Sequence, residues 1–348
     1  MNCRKNRKDM KWQIIFFSLA CVITLASSNV LAQNQNNFTA LQNYDFTPGD
    51  TVIFYDDFSA DEVGAFPEVW DQITGECTVV DVNDRSWLVA SEDSEVDPYM
   101  ESALPAAFAV EFTANILRDG KPGHWVVAFF DAAKKQQAEF SFDSRAANFM
   151  APSGAASSFE QNVEGNQRIA ILFQDTRFKC YIGKQRIIDA ATAGFKPASV
   201  RVGMFASEGA QENQAMFTDF RITQKSGTPQ ELLYENHRWV CYGVYFDFGA
   251  ATLRGESYAT LQELGELMKK DSRLNIRIED HSNDQEDDSD NMRLSQDRAE
   301  ALKEYLMDTF TLTKDRLETK AWGSGKPIGP TETPDGWEMN RRVEFIKM

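Results

Sequence analysis

The chain has 348 residues, of which 42% are hydrophobic, and this is enough to bury a core in each of two ordinary domains. Its formal net charge is -17 at pH 7. The first 32 residues hold five Lys or Arg and one Asp, so the remainder carries 31 basic and 52 acidic residues. A surface this acidic repels nucleic acid and anionic lipid, so we exclude nucleic acid as a partner.

The N-terminus has the pattern of a secretory signal peptide. A basic stretch, MNCRKNRKDMK, precedes the apolar run WQIIFFSLACVITLA, and small residues follow up to Ala32. This pattern predicts a signal peptide over residues 1–32, with cleavage after Ala32 and export from the cytoplasm. Two alternatives stay open. The segment from Trp12 to Leu31 nearly spans a bilayer and would suit an uncleaved anchor, and SLAC would suit lipidation at Cys21.

Cysteine and histidine usage gives no sign of a metal site. Beyond the signal peptide stand Cys77, Cys180 and Cys241. Cys180 alternates with Phe178 and Ile182, which predicts a buried thiol, while a Cys77–Cys180 bridge stays an open alternative. The three histidines are isolated and no His/Cys spacing matches a zinc site, so we expect no metal and no cofactor.

Residues 51–225 consist of short alternating apolar runs between turn residues. The runs predicted as strands are TVIFY, CTVVDV, SWLVAS, AFAVEFTANI, HWVVAFFDA, QAEFSF, RIAILFQD, RFKCYIG, RIIDA, SVRVGMFA and AMFTDFRIT. Their period of two and the Gly, Asn and Asp breaks predict an all-β sandwich or barrel. The strand rhythm and the final DFRI resemble concanavalin A-like, laminin-G-like domains, and this resemblance implies a β-sandwich of the jelly-roll type.

The composition changes after this region. A Gly-Thr-Pro break with a short helical stretch, within KSGTPQELLYENHR, predicts a linker at residues 226–238. The predicted organisation is therefore a signal peptide, an N-terminal extension at residues 33–50, a sandwich domain at 51–225, the linker, and a second domain at 239–348.

The second domain alternates strands with helices. VYFDF, LNIRIE, RLETKAW and RRVEFIKM have strand patterns. Helical apolar stripes occur in ESYATLQELGELMKK and from Asn291 to about Thr309, with Ser289 or Asp290 as the cap of the second helix. Helices that join strands predict an α+β domain of βαβαββ order, with the helices on one side of a mixed sheet.

Motifs in this domain follow a recognisable order. FDFGAATL, DHSN, LSQDRA, GSGKPI and NRRVEF resemble the OmpA-like peptidoglycan-binding domain of OmpA-type proteins, peptidoglycan-associated lipoprotein and flagellar stator proteins. The resemblance implies noncovalent binding to the peptidoglycan stem peptide, whose diaminopimelate carries a free amine and carboxylates. It also implies a location in the periplasm, associated with the cell wall and the outer membrane.

The resemblance implies two principal binding positions. Arg298, in LSQDRA, falls on the family's arginine, and a guanidinium suits bidentate capture of a carboxylate. The competing interpretation is a surface arginine paired with Asp297 or Glu300. Asn283 falls on the family's binding aspartate, and its amide oxygen accepts a hydrogen bond but brings no charge to an ammonium.

Four further positions carry over from the family. Asn291 and Leu294 fall on positions that line the groove, and Phe248 ends the first predicted strand beside it. Arg341, in NRRVEF, falls on an arginine near the ligand, although a purely structural role is an open alternative. Trp337 departs from the pattern, because the family usually has another arginine there.

The stretch DHSNDQEDDSDN, residues 280–291, holds six acidic residues. The negative charge of this stretch compensates for the neutral Asn283 if Asp284 or Asp280 reaches the ammonium of the ligand. A solvated loop without a ligand and a calcium site are the two alternatives, although no EF-hand spacing is present.

Nothing in the sequence points to catalysis. No Glu-x-Asp-x-x-Glu arrangement and no Gly-x-Ser-x-Gly elbow is found, and EVWDQITGE has the character of a turn between Gly and Pro breaks. We therefore expect a noncatalytic envelope protein that docks on peptidoglycan and presents its sandwich to a glycan or an envelope protein. The alternative is a carbohydrate-binding or glycan-hydrolysing sandwich that is tethered to the cell wall.

Overall fold

The computed structural model describes residues 44–348, apart from 117–123, 152–155, 161, 175–176, 192–194, 206–214 and 283–287. The predicted signal peptide, its alternatives, and the positions Asn283 and Asp284 therefore lie outside the described residues. Tyr44–Met348 forms one compact unit. In the part of the chain that the structure describes, no helix combines the length and apolar character needed to cross a membrane.

The first part of this unit is built of strands. In chain order they are β1 (Thr51–Asp56), β2 (Trp70–Thr74), β3 (Cys77–Asp81), β4 (Ser86–Ala90), β5 (Ser94–Pro98), β6 (Phe108–Ile116), β7 (His124–Phe130), β8 (Gln136–Phe142), β9 (Ala146–Met150), β10 (Ala156–Glu160), β11 (Gly165–Gln174), β12 (Arg177–Ile182), β13 (Gln185–Ala191), β14 (Ser199–Phe205) and β15 (Met216–Gln224). One sheet has the order β13-β12-β11-β6-β15-β4-β3, with β1 also paired to β15, and the other has the order β10-β9-β8-β7-β14-β5-β2. The strands pair antiparallel and enclose one apolar core, which confirms the predicted sandwich.

Strand β11 shows how the sequence specifies this packing. Ile169 and Ile171 lie in the core between the two sheets. Leu172 projects to the other face and is also buried, because Tyr44 and Phe46 cover it there. A strand that is covered on both faces is apolar at consecutive positions, and this explains the run IAILF.

Four strands were not predicted, namely β2, β5, β9 and β10. The interpretation of WDQIT as a turn is wrong, because this segment is the edge strand β2. Trp70 is 4% exposed and packs in the core, whereas the other residues of β2 are exposed. With a single buried residue, this strand lacks the apolar alternation on which sequence prediction relies.

The C-terminal part is a mixed α/β layer. Its elements are α1 (Pro229–Glu235), β16 (Arg238–Cys241), a 3-10 turn (Gly255–Ser257), α2 (Tyr258–Lys270), β17 (Ile276–His281), α3 (Asp288–Phe310), a second 3-10 turn (Lys314–Arg316), β18 (Leu317–Ala321), α4 (Pro334–Asn340) and β19 (Arg342–Lys347). The sheet order is β16-β19-β17-β18, with β17 and β18 parallel and the other pairs antiparallel. Leu264, Leu302 and Leu306 of α2 and α3 pack on its apolar face, which confirms the predicted layer of helices on a mixed sheet.

The first strand of this sheet was predicted in the wrong place. In VYFDF only Phe246 makes a β-bridge, to Leu253, and the strand that pairs with β19 is Arg238–Cys241. The chain turns back sharply at Gly249, which has a φ of 62°. Phe246 therefore meets its own downstream segment rather than the sheet.

The start of one helix also differs from expectation. Helix α3 begins at Asp288, so Ser289 and Asp290 lie in its first turn and are not its cap. Helix α1 is the short helical stretch that the sequence indicated within residues 226–238. Thr228 and Glu231 exchange side-chain and backbone hydrogen bonds at its start, and this capping box explains why so short a helix forms.

A buried ionic cluster joins the C-terminal part to the first sheet. Glu111 of β6 is fully buried and accepts hydrogen bonds from Arg168, from Arg221 (2.6 Å) and from the hydroxyl of Tyr245 (2.9 Å). Arg221 also pairs with Glu338 of α4. Burial alone would raise the pKa of Glu111, but the two guanidinium groups hold it below its usual value. The cluster therefore fixes the C-terminal part on the sandwich through charges that are already paired.

The cysteines within the described residues are free thiols. Cys77, Cys180 and Cys241 are all buried, and Cys180 lies in the core beside Phe178 and Ile182, as predicted. Burial raises the pKa of Cys77 to about 11 and that of Cys241 to about 12. These thiols are therefore protonated at neutral pH and inert as nucleophiles.

Candidate functional site

Arg298 lies on α3 beside the turn that precedes α2. Its Nε donates a hydrogen bond of 3.1 Å to the backbone carbonyl of Ala250. Its Cζ lies 5.0 Å from the centroid of the Phe246 ring, within the range of a cation–π contact. The side chain is half-buried. Backbone and ring thus hold the guanidinium in one orientation without neutralising it.

The charge of Arg298 has no carboxylate partner within ion-pair distance among the side chains that the structure describes. Arg298 does not form the alternative salt bridge with Asp297 or Glu300. Glu300 instead accepts hydrogen bonds from Gln296 and Thr319. A guanidinium held by Nε alone has both terminal nitrogens available for a carboxylate.

A chain of hydrogen bonds joins the first turns of α3 to the residue after β17 and to the loop after β18. The Ser282 hydroxyl donates to the backbone carbonyl of Asn291 over 3.2 Å, and the Ser295 hydroxyl donates to Ser282 Oγ over 3.3 Å. The backbone N–H of Gly323 donates to Ser295 Oγ over 3.2 Å. At Gly323 the φ is 50° and an added Cβ would stand 3.1 Å from the backbone nitrogen of Met292, so glycine is needed for this close approach.

The remaining groove positions differ sharply in exposure. Asn291 is 1% exposed and lies beneath the surface, whereas Leu294, one turn along α3, is half-buried. Phe248, in the turn that also contains Ala250, is 97% exposed. An aromatic ring so fully in water makes no contribution to the core, and it is available to a ligand.

Residues 245–341 match the sequence model of the OmpA family. The C-terminal part of the chain is an OmpA-like domain.

Individual relatives agree with this. Outer membrane porin F of Pseudomonas aeruginosa is 30% identical over 101 residues, which are 29% of this chain and 29% of the porin. Peptidoglycan-associated lipoprotein of Brucella melitensis is 25% identical over 103 residues, which are 30% of this chain and 61% of the lipoprotein. The chain thus spans less than two thirds of these relatives. Carbohydrate-binding module CBM66 of Bacillus subtilis is similar in structure at 19% identity and a TM-score of 0.33, over 45% of this chain and 96% of the module.

Arg341 lies at the junction between the OmpA-like domain and the sandwich. Its guanidinium pairs with Glu338 over 2.8 Å and lies 3.3 Å from the hydroxyl of Tyr55 on β1. Trp337, on the same helix turn, donates from its indole to the carbonyl of Thr331. The structure thus gives Arg341 contacts with α4 and β1, while Arg298 contacts the turn at Ala250.

The acidic stretch is described only at its ends. Asp280 is 3% exposed, at the end of β17. Asn283 and Asp284 lie outside the described residues, so the contribution of this loop to the OmpA-like groove stays a prediction.

Two residues of the site were not predicted from the sequence. Phe246 and Ala250 hold Arg298, yet Phe246 was assigned to a sheet strand. The period of two places Phe246 and Phe248 on the same side of an extended chain, so it gave no signal that Phe246 contacts Arg298 while Phe248 is exposed.

Three side chains that are typical metal ligands meet on the opposite face of the OmpA-like sheet. Glu279, His281 and Glu344 are buried, and their ligand atoms lie within 4.8 Å of one another. Both carboxylates are already paired, Glu279 with Arg277 over 2.6 Å and Glu344 with Arg342 over 2.6 Å. Burial alone would raise the pKa of Glu279, but hydrogen bonds from the indole of Trp322 and from Arg277 hold it below its usual value. Guanidinium groups thus already pair with both carboxylates that a metal cation would need.

Proposed function

We propose that this protein is a noncatalytic cell-envelope protein that docks on peptidoglycan through its OmpA-like domain. The observation that supports the proposal is the state of Arg298, whose guanidinium is oriented by Phe246 and Ala250 but carries no carboxylate partner among the described side chains. A carboxylate of the stem peptide supplies that partner, through two parallel hydrogen bonds.

In this proposal the diaminopimelate of the stem peptide is the ligand. Its carboxylate pairs with Arg298, its aliphatic part lies over Leu294 and Phe248, and Asn283 accepts from its ammonium. Asn291 is buried near the start of α3 and supports the groove from within the domain. The neutral Asn283 makes the contact with the ammonium weaker than an aspartate would, because charge-assisted hydrogen bonds are about twice as strong as neutral ones.

The proposed location follows from the N-terminal pattern and from the relatives. A signal peptide over residues 1–32 would export the chain to the periplasm. The matched relatives are named for the outer membrane and for peptidoglycan. We therefore place the protein in the periplasm, on the cell wall and at the outer membrane, with the sandwich presented to a glycan or to another envelope protein.

Sedimentation with purified sacculi tests the proposal. The full chain is compared with Arg298→Ala and with Arg293→Ala, a matched control on the same helix. Arg293 is paired with Asp290 over 3.1 Å and its side chain is 74% exposed, five residues from Arg298 and therefore on another side of α3. Arg298→Ala should abolish most of the retention and Arg293→Ala little of it. Equal retention of all three proteins would remove the proposed role of Arg298.

One observation favours the alternative of a glycan-active sandwich. Glu95 and Asp97 are alternate residues of β5, and Val96 between them lies in the core, so both carboxylates project from the outer face. Arg201 donates to Asp97 over 2.7 Å and lies 3.5 Å from Glu95, with its Cζ 4.8 Å from the centroid of the Phe130 ring. Two carboxylates on one strand face are the layout that glycoside hydrolysis needs. Here both face a shared guanidinium, which suits polar recognition of a glycan better than hydrolysis.

Assays with soluble glycans separate the two functions. Release of reducing sugar by the full chain, lost in the Glu95→Gln/Asp97→Asn double variant, would establish the hydrolytic alternative. Glycan binding without hydrolysis would leave the protein a noncatalytic envelope protein with a carbohydrate-binding sandwich.

A further inference from the structure

A cavity of about 480 Å³ lies on the face of the OmpA-like sheet that is opposite to the helices. Its polar lining consists of Arg238, Glu279, His281, Lys326, Arg342 and Glu344, from three strands and the loop after β18. The volume is within the range of about 300–1,000 Å³ that small-molecule sites have. Because Arg298 belongs to a helix on the other face, this cavity is separate from the proposed peptidoglycan groove.

The charges around the cavity favour an anion. The cavity is lined by the charged residues Arg238, Lys326, Arg342, Glu279 and Glu344. A sixth charged residue, Arg277, pairs directly with Glu279. Four cations against two carboxylates leave two positive charges, on a chain whose net charge is -17. This local excess of positive charge repels a metal ion and attracts an anionic ligand.

His281 is a buried polar group whose ring nitrogens make no hydrogen bond with the described part of the chain. It is 4% exposed and lines the cavity, and its Nε2 lies 3.5 Å from Oε1 of Glu344. Burial lowers the pKa of His281 to about 3 and the nearby Arg342 acts in the same direction, so the imidazole is neutral. A neutral imidazole has one donor and one acceptor, which point away from each other, and a ligand hydroxyl can bond to one of the two.

The mouth of the cavity supplies donors for a negative charge. Lys326 is exposed, its Nζ lies 3.5 Å from the centroid of the Trp322 ring, and it has no ion pair with any side chain that the structure describes. Arg238 is also exposed and uses one terminal nitrogen for Glu344. An ammonium and the remaining guanidinium donors thus face the same opening.

We propose that this cavity is a second binding site, for a small hydroxycarboxylate of the kind found in sugar acids. The carboxylate pairs with Lys326 and Arg238 at the mouth, and a hydroxyl reaches His281 in the interior. The two sources of such a ligand are the muramic acid of the cell wall and the uronic acids of acidic polysaccharides.

The imidazole signal of His281 in proton NMR reports binding at this site. The chain has three histidines, so His124→Gln and His237→Gln assign the signals of the full protein. The probes are glucuronate, N-acetylmuramic acid, inorganic phosphate and zinc chloride. Lys326→Gln is compared with Lys320→Gln, which removes the same charge from the same ring, 4.0 Å from its centroid, without lining the cavity.

The expected result is a saturable shift of the His281 signal with one of the two sugar acids, and the tighter acid identifies the source. Lys326→Gln should weaken binding about tenfold, as loss of a charge-assisted hydrogen bond does, and Lys320→Gln by less than about twofold. Arg298→Ala should leave this binding unchanged, which keeps the test independent of the peptidoglycan groove. No shift with either acid, equal losses in the two lysine variants, or a stronger response to phosphate or zinc would overturn the proposal.

Discussion

The guanidinium of Arg298 lies over the ring of Phe246, with Cζ 5.0 Å from the ring centroid, while its Nε is tied to the carbonyl of Ala250. This arrangement removes rotamer freedom from a long cationic side chain before any ligand arrives. A ligand carboxylate therefore meets a preorganised donor, and less conformational entropy is lost on binding.

Phe248 offers a test of how far the groove extends. Because the ring is 97% exposed, Phe248→Ser should change the free energy of unfolding by less than about 0.5 kcal/mol. Retention on sacculi should fall about fivefold, since the ring covers the aliphatic part of the ligand. Tyr99→Ser is the control, because Tyr99 is an exposed aromatic residue of the sandwich and should alter neither quantity. Unchanged retention of Phe248→Ser would show that the ligand does not reach this ring.

Asn283→Asp should tighten binding to diaminopimelate-containing peptidoglycan. The substitution restores a charge opposite the ligand ammonium, and a charge-assisted hydrogen bond in place of a neutral one predicts a gain of about three- to tenfold. Titration at low and high salt measures it, and the gain should shrink as salt screens the pair. An unchanged affinity would mean that another acidic residue of the stretch already supplies this charge or that the groove does not bind the ammonium.

Glu111 allows the buried junction to be tested through stability. Glu111→Gln leaves Arg168 and Arg221 buried with one negative charge fewer, so the free energy of unfolding should fall by about 3–5 kcal/mol. Asp189→Asn removes one partner of Arg177, whose side chain is well exposed, and should cost less than about 1 kcal/mol. Urea unfolding of both variants gives the comparison. Similar small losses would show that the cluster does not secure the junction.

Asp56 predicts a specific pH dependence. Burial raises its pKa to about 7, although Phe58 and Trp70 donate to its two oxygens and oppose the shift. Because the unfolded value is about 4, the folded protein binds this proton more tightly than the unfolded chain. The stabilisation is complete below about pH 4 and is lost as pH rises to about 7, by an amount on the order of 4 kcal/mol.

Wild type and Asp56→Asn are therefore to be unfolded across this pH range. The free energy of unfolding of the wild type should fall relative to that of Asp56→Asn as pH rises from about 4 to about 8, because only the wild type has this carboxyl group. A difference that stays constant over the range would contradict the buried neutral state of Asp56.

Much of the fold could be predicted because its apolar patterns are local. The apolar runs around Ile169 and Phe178 predict core strands, and the apolar stripe with Leu264 predicts a packed helix. The segment WDQIT was misassigned because an edge strand needs only Trp70 in the core. VYFDF was misassigned because a period of two occurs both in a strand and in the bridged turn between Phe246 and Leu253.

The site was predictable only in its motif residues. LSQDRA pointed to Arg298, but the partners that orient it come from a turn about 50 residues earlier in the chain. The cavity around His281 combines Arg238, Lys326 and Glu344, which stand far apart in the chain and meet only when β16, β17 and β19 pair. No local sequence pattern predicts that these residues lie together, because the order of strands in a sheet depends on long-range contacts.

The most direct test of the central proposal is a calorimetric titration of the full chain with a soluble stem tripeptide that ends in diaminopimelate. Wild type, Arg298→Ala and Arg293→Ala are measured side by side. We predict that Arg298→Ala weakens binding at least about tenfold and that Arg293→Ala stays within about twofold of wild type. Equal affinities in all three proteins, or no binding by wild type, would contradict peptidoglycan docking through Arg298.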